Sequence, residues 1–167
     1  MSMHIDPVPR EARPFQGHRA GLVTRAAAGA IDVGIVIIAS GALYLGITAF
    51  DFLLDPRNFS APTPSPGLVY AVGCLLLTLY LALSWTGNGR TYGDHVMGLR
   101  VVNREGRGLH PLAALVRAAL YVIFPIGLLW VLVSGQNRSL QDLVLRTSVI
   151  YDWELGPLQP PTDATRT

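Results

Sequence analysis

The sequence predicts an all-α, polytopic membrane protein with three apolar helices and a small cytoplasmic loop element. Three observations carry that expectation. Half of the 167 residues are hydrophobic and only 14% are charged, whereas soluble domains carry about a quarter charged residues. Mean hydropathy is +0.38. Three apolar stretches, at about 21–50, 68–85 and 112–134, alternate with polar segments in which arginine is unevenly shared.

The N-terminal tail, 1–19, is polar and has no short apolar region ahead of a cleavage site, so the first helix is expected to be retained. That helix opens with "TRAAAGAID" and then runs without a charge from Val33 to Phe50, about 27 Å at 1.5 Å per residue, close to the hydrocarbon thickness of a bilayer. The second apolar stretch follows the turn-forming "DPRNFSAPTPSPG" and has Tyr70 and Trp85 near its ends, where interfacial aromatics belong. The segment "TGNGRTYGDHVMGLRVVNREGRGLHP" is polar and glycine-rich, and "LRVV" before "NREGRG" reads as a short strand entering a turn, a small hairpin at the membrane surface. The third stretch carries Arg117 and, in its middle, Pro125. It is either a span kinked at Pro125 or a re-entrant hairpin; its length favours the kinked span, although both of its flanks are basic. The tail 154–167 has the proline-rich, polar composition of a disordered end.

Charge sets the orientation. Arg10, Arg13, Arg19 and Arg25 precede or open the first helix, and Arg90, Arg100, Arg104 and Arg107 follow the second. The connection between them has Arg57 alone against Asp51 and Asp55. The N-terminus and the 88–110 loop are therefore expected on the cytoplasmic side of a bacterial plasma (inner) membrane.

Two charges at the head of an apolar helix need explaining, because an aspartate at a helix centre costs ~2.5–3.5 kcal/mol on insertion scales. Arg25 and Asp32 share one helix face but sit about 10 Å apart along the axis, too far for a routine pair. Each is expected to meet another group. Arg117, or Arg25 of a neighbouring subunit, is the expected partner of Asp32. Asp32 reads either as part of a structural pair or as a cation or proton site. Ala26, Ala30 and Gly34, with Ala42 and Gly46 further on, form a small-residue stripe expected to serve helix packing. In "NRSLQDLVLRTSVIYDW", Arg138, Asp142 and Arg146 stand four apart, as in a mixed-charge ladder on a helix. Alternatively, Asp142 folds back to meet Arg25 or Arg117.

The arginine and aspartate of the first helix, the "GRTYGDHVMGLRVVNREGRGL" loop and the "RSLQDLVLRTSVI" segment together resemble the RDD family of small bacterial membrane proteins. The resemblance covers about residues 17–151 and implies that Arg25, Asp32 and Asp142 are the family's name-giving charges. Two positions depart from the usual pattern: Asp94 stands where a basic residue is usual, and Leu145-Arg146 where a small pair is usual. The resemblance implies a membrane role without a substrate; transport has been suggested for the family, with some members linked to sodium–proton exchange.

Other classes find little support. The glycines of "GNGRTYG" do not make a phosphate loop, and the four histidines lack metal-ligand spacing. Cys74 is alone in an apolar run, and nothing suggests a nucleophile with its base. Neither enzyme activity, nor a cofactor, nor a metal, nor nucleic-acid binding is expected. Two functions compete. One is a non-catalytic accessory or assembly subunit, embedded in the bilayer and docking on other membrane subunits or on itself. The other is an oligomeric sodium/proton-type transporter using Asp32 and Asp142. The first is favoured because transporters rest on repeated halves around a midplane site, and no internal repeat is visible.

Overall fold

The computed structural model describes residues 17–103, 106–124 and 139–153. Helix α1 spans Leu22–Leu54 and α2 Pro66–Gly87; a short α3, Tyr92–Val96, leads into strand β1, Leu99–Asn103. Helix α4 spans Pro111–Ile123, a short α5 spans Leu140–Leu145, and strand β2, Thr147–Tyr151, follows. Helices α1 and α2 are both long and apolar enough to cross a membrane; α4 is apolar but shorter.

The core lies at one end of the molecule. In α1 the buried residues are Arg25, Ala28, Asp32 and Val36, all in its first half. In α2 they are Leu81, Ala82 and Trp85, all near its end. Beyond this base α1 exposes Ile37, Leu45, Phe50 and Leu53 and α2 exposes Leu68 and Leu75, as expected of surfaces that face lipid. The base is closed by α4, which packs along α2, and by α3, which packs on α1. Close approach depends on missing side chains. Gly93 of α3 lies against the Ala28 carbonyl, and a Cβ there would stand 2.9 Å from Asp32 Oδ1. Tyr121 of α4 packs on Gly29 in the same way.

Short helices need strong starts, because a first turn fixes several dihedrals for one hydrogen bond. Both α3 and α5 begin with a capping box, Thr91 with Asp94 and Ser139 with Asp142. Each box is followed at equal chain spacing by a residue in the left-handed region, Gly98 (φ 63°) and Arg146 (φ 55°), and then at once by a strand. Gly98 has a second constraint, since the Trp153 ring fills the space a Cβ would need.

The strands pair antiparallel, with Leu99 opposite Tyr151, Val101 opposite Val149 and Asn103 opposite Thr147. Val101 and Val149 are also equivalent positions in the two box–turn–strand units. The strand pairing is thus symmetric about Val101 and Val149, matching 99–103 with 147–151. The two segments share caps and register, and the residue identities only hint at this local likeness; it is not the repeat of halves that is absent from the sequence.

Three further expectations change. First, the fold is mostly helical but not all-α, because β1 is a strand as expected while its partner is β2 and not a local hairpin. The turn after β1, closed by Arg107 N–H to Asn103 Oδ1 at 2.9 Å, sends the chain into α4. Second, the charge ladder on 138–146 does not form. Ser139 caps α5, so Arg138 precedes the helix and lies outside the described residues, and Arg146 is an exposed C-cap residue. Third, the helix expected over 112–134 ends at Ile123, as the conformational restriction before Pro125 demands. The expected kink or re-entrant turn, at Pro125, lies outside the described residues. The residues on either side of it are together, however: Gln141 Nε2 donates to the Phe124 carbonyl at 3.0 Å.

Residues 1–16 of the expected N-terminal tail (1–19) and the expected tail 154–167 also lie outside the described residues. The N-terminal residues that are described join the base, where Ala20 N–H donates to the Val149 carbonyl at 3.0 Å and Tyr151 N–H to His18 at 2.9 Å.

Candidate functional site

The base brings together the three charges singled out by sequence, but in two separate clusters. In the first, Asp142 lies between two arginines. Arg25 Nη1 donates to Asp142 Oδ2 at 2.5 Å, and Arg117 Nη1 donates to Asp142 Oδ1 at 2.6 Å. Arg25 also holds the Ala20 carbonyl through Nε at 3.1 Å, and Arg117 Nη1 reaches Thr147 Oγ1 at the start of β2. All three charged residues are buried, with 1% of Asp142 and 4% of each arginine exposed. The Arg117 guanidinium lies over the Trp85 ring, 5.1 Å from its centroid, which adds a cation–π attraction.

Burial pushes the Asp142 carboxyl up, but the charges of Arg117 and Arg25 outweigh it and hold the group well below the usual carboxylate range. Asp142 serves its own helix as well: Ser139 N–H donates to Oδ2 at 3.1 Å, completing the capping box. One carboxylate thus starts α5 and fastens it to both α1 and α4.

The second cluster surrounds Asp32, two helical turns along α1. Its partners are neutral. Thr91 Oγ1 donates at 2.6 Å, Gly93 N–H at 2.8 Å and Tyr80 Oη at 2.9 Å. Among the described residues no arginine pairs with Asp32; Arg117, one expected partner, is engaged by Asp142. Asp94 caps α3 and accepts from Trp85 Nε1 at 2.9 Å, so its departure from the usual basic residue supplies a buried acceptor. A further charge group was not foreseen. Arg90 Nη2 lies 2.7 Å from Asp152 Oδ2, and Arg100 Nε lies 3.1 Å from the same oxygen. It ties the strand pair to the chain that follows α2.

The remaining sequence candidates stand apart from these clusters. Arg146 is exposed, and Arg138 lies outside the described residues. Of the small-residue stripe, Ala26, Ala30, Ala42 and Gly46 are exposed and Gly34 is half-buried. The face of α1 packed within the chain is the one through Arg25, Ala28, Asp32 and Val36. Among the described residues there is no cluster of His, Cys, Asp or Glu able to hold a metal ion.

Thr91, Gly93 and Tyr80 were missed because neutral donors leave no charge pattern. One signal was present: Thr91-x-x-Asp94 and Ser139-x-x-Asp142 both have the capping-box form, which marks a helix start and an ordered turn.

Two helices long and apolar enough to cross a membrane, over a compact base in which buried charges bind the helix ends to a strand pair, fit a helical membrane protein. The family comparison agrees: the model of the RDD family matches residues 19–146, and the chain belongs to that family. It is also similar to the uncharacterized protein RP437 of Rickettsia prowazekii (strain Madrid E), with 27% identity over 123 residues, 72% of this chain and 71% of that protein. No solved structure matches it.

Proposed function

We propose that this chain is a non-catalytic accessory or assembly subunit of a bacterial plasma membrane, anchored by α1 and α2 with its base on the cytoplasmic side. The observation that carries this reading is the saturation of the family charges. Asp142 is held by two arginines, and Asp32 by three hydrogen-bond donors, each at 3% exposure or less. A carrier carboxylate must exchange its partners for a proton or a cation on every cycle. Saturated carboxylates serve better as fasteners, and these fasten α1 to the two box–turn–strand units.

The outward half of α1 supports the docking part of the reading. It buries no residue within the chain. Ala42 and Gly46 lie exposed along it, and small residues let a partner helix approach closely in lipid. The arginines of the 17–25 and 88–107 regions support a cytoplasmic base.

The test is purification in mild detergent followed by mass determination of the intact assembly. The subunit reading expects fixed stoichiometry with a larger membrane complex. A chain that purifies alone, and that in vesicles changes internal pH after a sodium jump in an Asp32-dependent manner, would replace it with the transporter reading.

A further inference from the structure

We propose that α4 and α5 form a separate lipid-binding surface, seated in the cytoplasmic leaflet against anionic phospholipids; this rests on the anchoring by α1 and α2 put forward above. Helix α4 is inside out by the standard of a water-soluble protein. It buries Ala114, Arg117 and Ala118, while Leu112, Leu115, Val116 and Ile123 are exposed, the last at 79%. These four recur at the spacing of one helix face and make a stripe without charge. The bond from Gln141 to the Phe124 carbonyl brings α5 beside the end of that stripe, and there Leu143, Val144 and Arg146 are exposed.

Position fixes the depth. Arg117 shares Asp142 with Arg25, in the first turn of α1, and Tyr121 packs on Gly29, one turn further on. The charge-free run of α1 begins at Val33, so α4 lies level with the entry of α1 into the apolar layer. Its 13 residues reach about 20 Å, short of a hydrocarbon layer of ~30 Å. That is the setting in which interfacial helices bury an apolar face.

The residue types select lipid over a protein partner. Lipid tails are as apolar as leucine, so helices in a membrane pack on one another through small residues. Helix α4 turns its small residues, Ala114 and Ala118, into the core of its own chain and its large aliphatic ones outward. Protein-binding surfaces concentrate Trp, Tyr and Arg at their centres, and the stripe has none of them. It also adjoins α2, on which α4 packs and whose Leu79 and Leu83 are exposed as well. Exposed arginines stand at both chain ends of the surface, Arg107 ahead of α4 and Arg146 after α5. Basic groups at the cytoplasmic leaflet attract anionic headgroups.

The test uses the full-length chain carrying Cys74→Ser, reconstituted in phosphatidylcholine vesicles with and without phosphatidylglycerol. Single nitroxide labels are attached through Leu115→Cys, Ile123→Cys or Leu143→Cys, with Leu75→Cys on α2 as the reference for anchoring. Collision of each label with oxygen, which concentrates in lipid, is compared with collision with a water-soluble nickel complex. The labels at 115 and 123 should favour oxygen, as the label at 75 does, but at shallower depth. The label at 143 should move deeper when phosphatidylglycerol is present, and Arg146→Gln should abolish that shift. If the label at 75 favours oxygen while those at 115 and 123 favour the nickel complex, the proposal is overturned and the anchoring stands. Shielding of 115 and 123 from both probes, as under a partner protein or a second copy, overturns it equally. A label at 143 that ignores phosphatidylglycerol overturns the anionic preference. A label at 75 that favours the nickel complex overturns the anchoring, and this proposal with it.

Discussion

Arg25 Nη1 lies 2.5 Å from Asp142 Oδ2, joining residues 117 positions apart in the chain. The contact fastens the first turn of a membrane-length helix to a six-residue helix formed at the far end of the fold. Arg117 holds the other oxygen, so the three side chains form a buried latch with one negative and two positive charges. Its energetics are lopsided. Making such a group in place of apolar residues gains little, because desolvation offsets attraction, but removing one member leaves an uncompensated buried charge. The latch therefore specifies which chain ends meet more than it adds to stability.

Acid should open it. Burial raises the Asp142 carboxyl, Arg117 and Arg25 lower it by more, and the folded value lies below the ordinary 3.8. On acidification the unfolded chain takes up this proton first, so the stabilisation is fully present above about pH 5 and is lost progressively as pH falls through the unfolded value of 3.8 toward the lower folded one. In detergent, the unfolding midpoint should hold steady down to about pH 5 and then fall. The Asp142→Asn variant, starting lower, should lose most of that acid-dependent fall.

Thr91 carries two duties, capping α3 and donating to Asp32 at 2.6 Å. Thr91→Ala should cost about 1–3 kcal/mol in denaturant unfolding, the sum expected for a lost cap and an underserved buried carboxylate. Thr91→Ser keeps the hydroxyl and should recover most of that loss. Equal losses in the two variants would place the role of Thr91 in its methyl group.

Chain direction gives a third prediction. Because Phe124 and Gln141 are hydrogen-bonded and β2 pairs with β1, residues 139–153 lie on the same side as residues 17–21 and 88–103. A reporter fused after Asp152 should read cytoplasmic, as should one placed ahead of α1, and a reporter inserted at Asn58 should read the opposite side. A periplasmic signal after Asp152 would separate the two strands by a membrane and contradict the fold.

Much of this was legible in the sequence, for identifiable reasons. The spans α1 and α2 announce themselves by length and apolarity, because lipid leaves a helix few alternatives. Arg25, Asp32 and Asp142 were nominated together by family resemblance, and the possibility that Asp142 folds back onto Arg25 or Arg117 was realised with both. β2 was hidden: "TSVIY" is rich in β-branched residues, but it follows directly on the four-residue spacing of Arg138, Asp142 and Arg146, which reads as a helix. The periodicity ends at Arg146, where the left-handed backbone turns helix into strand. The partners of Asp32 were hidden for a different reason. A hydroxyl, a phenol and a backbone N–H bring no charge to match, and their convergence depends on Gly93 lying against α1. The likeness of 91–103 to 139–151 escaped because few identities are shared between them: Arg-Thr/Ser-x-x-Asp, Val96 with Val144, and Val101 with Val149. What is duplicated is the cap, the left-handed turn and the strand register.

The latch itself is tested most directly by a double-mutant cycle on Arg25 and Asp142, with Arg25→Met, Asp142→Asn and the pair unfolded by denaturant in one detergent. Asp142→Asn alone should cost about 3–5 kcal/mol, since it leaves two buried arginines without their counter-charge. The account predicts that the double variant loses less than the two single losses combined, by a coupling of about 1–3 kcal/mol. Losses that add to within about 0.5 kcal/mol would mean that the two residues act independently, and would contradict it.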